Sequence, residues 1–337
     1  MKRTWLLLIL FLALGGASAW YLWRQDNSQM SRLRQERDFA VPDTDDIHKI
    51  FLAHRDGEMV TLTRQGNDWL YNGKWKARPG AMDNLLDAIR RLRIKYVPPR
   101  AAVPAMVRDL GTQGIKVELY ARSGRLIKSY YIGGSTPDER GTYIIREGFN
   151  EPFVGELPGW EGNLRFRYNL RGEDWRDRAV FAENPDQIVK VSLEYPKQRN
   201  QSFVLEKKGN SFDIRPFYDI TPESRRPYRP GSAEAFLVAF ENLGAEAFRN
   251  DSPERDSVLN TVPFCIISLT NQSGQEQQVK LFPIYPDPTG LDPKSGYSLS
   301  SLPVERYYAA MSSGDFMLVQ HRVFKNILWG YPFFFEQ

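Results

Sequence analysis

The chain has 337 residues, 42% hydrophobic and 13% aromatic, enough for about two domains and a sizeable core, which excludes disorder and a polytopic membrane fold. Its formal charge of +4 belongs to the tail: residues 1–37 carry Lys2, Arg3, Arg24, Arg32, Arg34 and Arg37 against Asp26 and Glu36, and the balanced remainder excludes nucleic acid as a partner. One cysteine, Cys265, and three histidines, His48, His54 and His321, exclude an internal disulfide, a thiolate zinc cage and an iron–sulfur cluster, so neither metal nor cofactor is expected.

Residues 5–23 run for nineteen positions without a charge, roughly 28 Å as a helix, which matches a hydrocarbon core. Lys2 and Arg3 precede the run, so the positive-inside tendency puts the N-terminus in the cytoplasm and the rest of the chain outside. Trp5, Trp20, Tyr21 and Trp23 stand where an aromatic belt belongs. Ala17-Ser18-Ala19 also fits a signal-peptide cleavage pattern. Because the apolar run continues through Trp23, the expectation is an uncleaved single-pass anchor over residues 1–23 in the cytoplasmic (inner) membrane. The C-terminal region is then periplasmic or otherwise extracytoplasmic. Residues 24–46, rich in Arg, Gln and Asp, read as a polar stalk.

Beyond the stalk the sequence repeats itself. Ile47-His48-Lys49-Ile50-Phe51-Leu52 matches Ile188-Val189-Lys190-Val191-Ser192-Leu193 at an offset of 141, and Gly66-Asn67-Asp68-Trp69 matches Gly209-Asn210-Ser211-Phe212 at 143. Each copy reads as strand, turn, strand, turn, aromatic strand. An amphipathic helix follows in both, through Leu85, Leu86, Ile89 and Leu92, and through Phe236, Leu237, Phe240 and Leu243. The first starts after Arg78-Pro79-Gly80; the second starts with Ser232 as N-cap and stops at Gly244. The hairpin strand Ile115–Leu119 with turn Ser123-Gly124 matches Cys265–Leu269 with turn Ser273-Gly274 at an offset of 150. The extra residues of the second copy fall in the Pro-rich segment 215–231.

The expected architecture is therefore α+β. A transmembrane helix and stalk lead to a first lobe over residues 47–170, a linker over 171–187 and a second lobe over 188–337. Each lobe is an antiparallel sheet covered by a helix.

Candidate chemistry is sparse. His48 and His54, six strand residues and about 20 Å apart, are too distant to share a metal. His321 lacks an acidic sequence neighbour to orient it, and Gly133-Gly134-Ser135-Thr136-Pro137 reads as a loop after a strand, without a nucleophile motif. The acid pairs Glu173-Asp174 and Asp138-Glu139 read as solvated turns, and Cys265 as a buried, inert thiol. Partner-contact candidates are Arg215, Phe217, Tyr218, Arg225, Arg226, Tyr228 and Arg229 in the Pro-rich segment, whose Arg and Tyr content suits a protein interface. A second contact loop is expected over 283–301. The aromatic C-terminus, 327–335, is expected to pack on the second lobe.

The strand opening Asp46–Ile50, Gly66–Trp69, the helix around Leu85–Leu92, Gly114–Val117, Tyr131-Ile132-Gly133 and the box Trp175-Arg176-Asp177-Arg178 together resemble a bacterial family known as a domain of unknown function. The resemblance covers most of residues 46–210. It implies a membrane-anchored extracytoplasmic protein, often encoded near gliding-motility-type ABC transporter components, and brings no catalytic residues with it. The expected function is a non-enzymatic accessory or scaffold subunit of an envelope protein complex, with membrane and envelope proteins as partners. The alternative is a glycan- or ligand-binding module or hydrolase using an inter-lobe cleft, with Trp175, Arg176, Asp177 and Tyr228 lining it.

Overall fold

The computed structural model describes residues 32–209, 211–285 and 303–336. The expected membrane segment and most of the loop expected over 283–301 lie outside the described residues. Among the described residues no helix is long and apolar enough to cross a membrane. The architecture is mixed and mostly antiparallel, with two large sheets, and the chain divides into two units, Met1–Asp177 and Arg178–Gln337.

The first unit contains β1 (Ile47–Ala53), β2 (Met59–Gln65), β3 (Asp68–Tyr71), β4 (Trp75–Lys76), β5 (Arg93–Tyr96), β6 (Ile115–Ala121), β7 (Leu126–Ser135), β8 (Thr142–Arg146) and β9 (Phe153–Glu156). They form one sheet in the order β4-β3-β2-β1-β6-β7-β8-β9-β5. Period-2 alternation brings Ile50, Leu52, Val60, Leu62, Ile115, Val117 and Leu119 together in a buried cluster. Helix α1 (Pro79–Arg91), opened by a proline that needs no N–H partner there, adds Ala81, Met82, Leu85, Ala88 and Ile89 to that cluster. Leu85 and Ile89 are wholly buried, and truncating either to alanine costs about 2–5 kcal/mol.

Two expectations about this unit need correction. Gly133-Gly134-Ser135 is not a loop but the end of β7. The Asp109 carboxylate, on α2 (Val103–Gln113), accepts the Gly134 N–H at 2.6 Å. It sits 2.7 Å from where a Cβ on Gly133 would lie, so the glycines admit the helix. The polar stalk expected over 24–46 gives way to packed chain at Phe39: Phe39 and Val41 join the first core, Phe39 lies edge-on to Tyr130 and Phe153, and Val41 N–H donates to the Ile89 carbonyl at 3.0 Å. Their apolar side chains outweigh the polar composition around them. The division between the units falls after Asp177, inside the segment 171–187, whose Trp175 belongs to the first core and Val180 and Phe181 to the second.

The second unit contains β10 (Ala179–Phe181), β11 (Ile188–Glu194), β12 (Phe203–Lys208), β13 (Ser211–Pro216), β14 (Leu243–Gly244), β15 (Ala247–Phe248), β16 (Cys265–Asn271), β17 (Glu276–Ile284), β18 (Arg306–Met311) and β19 (Phe316–Gln320). β10 pairs with β14, and the main sheet runs β13-β12-β11-β16-β17-β18-β19-β15. That is the order of the first sheet without its β4 edge. The likeness reaches the register: β1–β6 pairing slips between Ile47 and Lys49, and β11–β16 pairing slips between Ile188 and Lys190. The turn glycines also correspond, with φ of +60° at Gly66 and +61° at Gly209.

The second helix is shorter than expected. α3 spans Ser232–Val238, and its N-cap is Gly231 at φ +73° rather than Ser232. Ser232 instead directs its hydroxyl to the Phe334 carbonyl at 3.4 Å. The chain leaves the helix so that Leu243 and Gly244 can pair with β10, while Phe240 still reaches Phe181 at 5.2 Å between ring centroids.

Candidate functional site

The Pro-rich segment 215–231 begins in the last two residues of the edge strand β13 and is held against the C-terminal tail. The tail is the expected aromatic packing element: Phe334 is wholly buried, Tyr331 and Phe335 nearly so, all in the second core. Phe334 lies 4.8 Å from Phe203 and 5.4 Å from Phe236 between ring centroids. Across the seam, Arg229 N–H donates to the Phe334 carbonyl at 2.8 Å, Glu336 N–H to the Pro227 carbonyl at 3.1 Å and Ser224 N–H to the Tyr331 hydroxyl at 3.1 Å. Tyr228 stacks on Phe335 at 5.1 Å, and its hydroxyl both donates to the Ile214 carbonyl and accepts the Ile214 N–H. Pro216, Pro222, Pro227 and Pro230 further restrict φ along the loop.

The seven expected contact residues separate into two roles. Arg215 is committed to its own sheet: its guanidinium, still 41% exposed, binds Glu206 at 3.1 Å and Asp213 at 3.0 Å, and these carboxylates raise its pKa. Lys208 first, and Arg215 with it, hold the Asp213 carboxyl below its ordinary value. Tyr218 donates to Glu194 at 2.5 Å beneath the Arg199 guanidinium, 5.2 Å from its ring. Arg229 covers the Phe333 ring at 4.2 Å. Phe217, Arg225, Arg226 and Tyr228 are exposed. Two more exposed apolar residues, Ile220 at 74% and Phe333 at 49%, complete the surface. A lone isoleucine between Asp219 and Thr221 in a proline-rich loop was the available signal for the first; nothing local marked Phe333.

Of the residues expected to line a cleft, Trp175, Arg176 and Asp177 are structural within the first unit. Trp175 is wholly buried in its core, with its indole N–H on the Leu170 carbonyl at 3.0 Å. Arg176 lies 3.8 Å from the Trp75 ring centroid and pairs with Glu173 at 2.7 Å. Asp177 N–H donates to the Lys76 carbonyl at 2.8 Å. Trp175 is therefore a core residue and not a lining residue; its large apolar surface is satisfied inside.

The remaining candidates are similarly placed. Cys265 is buried, and desolvation pushes its thiol well above the ordinary range. Tyr307, whose hydroxyl lies 3.1 Å from His321 Nδ1, is pushed up to about 12 by burial. His321 lines a hollow of about 510 Å³ with Val304, Glu305, Arg306, Gln320 and Arg322; Arg306 is paired with Glu246 at 2.9 Å there. His54 is buried at 6% exposure, with neither ring nitrogen hydrogen-bonded among the described residues. Burial first, and the Arg171 charge second, lower its pKa. Among the described residues no group of three or more His, Cys, Asp or Glu is arranged to hold a metal.

Taken together, these features define a mixed, two-unit antiparallel-sheet protein whose most elaborated surface is a braced, partly apolar loop. A family model described as "Domain of unknown function (DUF4340)" matches residues 73–261, more than half of the chain and on both sides of the division between the units. The chain belongs to that family. No curated protein matches it, and no solved structure does.

Proposed function

We propose that this protein is a non-enzymatic, single-pass envelope protein, anchored by residues 1–23, whose exported units serve as an accessory or scaffold subunit of a membrane protein complex, with an ABC transporter as the favoured associate. On this reading the two units descend from one duplicated module, each sheet with its covering helix. The observation that carries the proposal is the braced loop: Phe217, Ile220 and Tyr228 stay exposed while the backbone around them is tied to the tail by hydrogen bonds. Holding apolar side chains in water on a fixed loop lowers the ordering cost of binding a protein. The commitment of Trp175, Cys265 and Tyr218 to packing and internal hydrogen bonds supports a binding role over catalysis.

The test is recovery of the tagged full-length chain from native membranes in mild detergent, beside a chain starting at Arg24. A stoichiometric set of membrane proteins with the full-length chain supports the proposal. A chain that is found cleaved after Ala19 and recovered alone from the exported compartment overturns it.

A further inference from the structure

The two sheets share strand order and register slip, so each corner of one can be compared with the same corner of the other. At the start of β1 the slip leaves His48 as the extra residue opposite Ala121 and Tyr120. Such bulges re-aim a side chain. Here His48 lines a hollow of about 440 Å³ with Asp45, Asp46, Arg64, Arg122, Ser123 and Arg125.

In the second unit the corresponding residues are Val189, Asp186, Gln187, Lys207, Gln272, Ser273 and Gln275, and that corner is closed. Gln272 N–H donates to the Gln187 carbonyl at 2.8 Å, and its side-chain amide donates to the Asp186 carbonyl at 2.9 Å. Gln275 accepts from Asn271 at 3.2 Å. The first unit has no bond from Arg122 N–H to the Asp46 carbonyl among the described residues. The two glutamines that close the second corner are replaced by arginines around an open one.

The charges say what the opening suits. Arg64 is committed: its Nε and Nη2 donate to the Ile47 and Thr44 carbonyls at 3.1 and 2.9 Å, and Nη1 reaches Asp45 at 3.4 Å. Arg122 and Arg125 are exposed, and their guanidinium groups have no partner among the described residues. Three arginines against Asp45 and Asp46 leave the lining net cationic. Guanidinium forks match the planar edges of phosphate oxygens, and two forks beside a serine hydroxyl form a donor set for one oxyanion.

We propose that this hollow binds a phosphate group, with Arg122 and Arg125 as the binding residues and His48 and Ser123 lining the site. The phosphate comes either from a lipid headgroup or from a free anion.

The test is calorimetric titration of the full chain, in a detergent without phosphate, with inorganic phosphate and separately with a short-chain, water-soluble phosphatidylglycerol. Saturable binding of either probe is expected. The double variant Arg122→Gln with Arg125→Gln, which installs the second unit's residues, should weaken it at least about tenfold, while Arg100→Gln, a control at an exposed site elsewhere, leaves it unchanged. Tighter binding of the lipid probe identifies a headgroup site, and equal or weaker binding identifies a free anion. All these substitutions are on the surface, so circular dichroism should be unchanged. Absence of saturable binding by both probes, or affinity unaffected by the double variant, overturns the proposal.

Discussion

The Arg229 N–H donates to the Phe334 carbonyl at 2.8 Å, so a loop residue and a tail residue more than a hundred positions apart share one hydrogen bond of an otherwise irregular seam. Phe334 inserts into the core on the far side of that bond, which makes the stability of the loop depend on the tail.

Phe334→Ala should therefore cost about 3–5 kcal/mol of the second unit's stability and should also raise amide exchange at Arg229 and Glu336, whose seam bonds the tail supports. Denaturant melts combined with hydrogen exchange measure both. A loss below about 1 kcal/mol, typical of surface sites, would show that the tail is only draped on the sheet.

Two glycines separate packing from propensity. Gly133→Ala should destabilise by about 1–3 kcal/mol, because the new Cβ meets Asp109 at 2.7 Å, Leu110 at 3.0 Å and Tyr143 at 3.1 Å. Gly80→Ala, in the first turn of α1 with nothing within 4 Å of the added carbon, should stabilise by up to about 1 kcal/mol. Equal effects in thermal melts would contradict the close approach of α2 to β7.

His54 sets a pH dependence with a definite sign. Burial lowers its pKa in the fold, so below the unfolded value of about 6.5 the unfolded chain binds a proton that the folded chain refuses. This contribution leaves stability flat above that pH and reduces it as pH falls, down to the folded pKa. Melting profiles of the parent and of His54→Gln should diverge in slope between neutral and mildly acidic pH, with the parent losing more. Parallel profiles would assign the acid sensitivity to other groups.

Cys265 offers a label for unfolding. Its thiol is buried in the second core and its pKa is raised by desolvation, so thiolate reagents should modify the native chain only as fast as it opens. Labelling rates should rise in step with denaturant-induced unfolding. Rapid stoichiometric labelling of the native protein would place the thiol at the surface.

Much of this fold was legible because period-2 patterns and turn glycines act locally. The pairing of Ile115 with Cys265, and of Gly66 with Gly209, could be read by offset alone. What escaped the sequence was long-range. Trp175 carries the composition of a binding site, yet its indole is satisfied by Leu170 in the core. The helix expected as far as Gly244 ended at Val238 because β10 competes for Leu243, and a sequence window cannot see that partner. Likewise, Phe39 looked like stalk until Tyr130 and Phe153 came to meet it. In the candidate surface, aromatic and arginine content drew attention to this loop but could not show that Arg215 pairs with Glu206 and Asp213 and Tyr218 with Glu194 while Ile220 and Phe333 face water.

The central claim is that the braced loop is a protein-binding surface. Its most direct test is recovery of membrane partners by the full-length chain carrying Phe217→Ser and Ile220→Ser, compared with the parent at equal expression and equal melting temperature. The account predicts that partner recovery falls severalfold while the variant stays folded and membrane-associated. Undiminished recovery by the folded variant would contradict it.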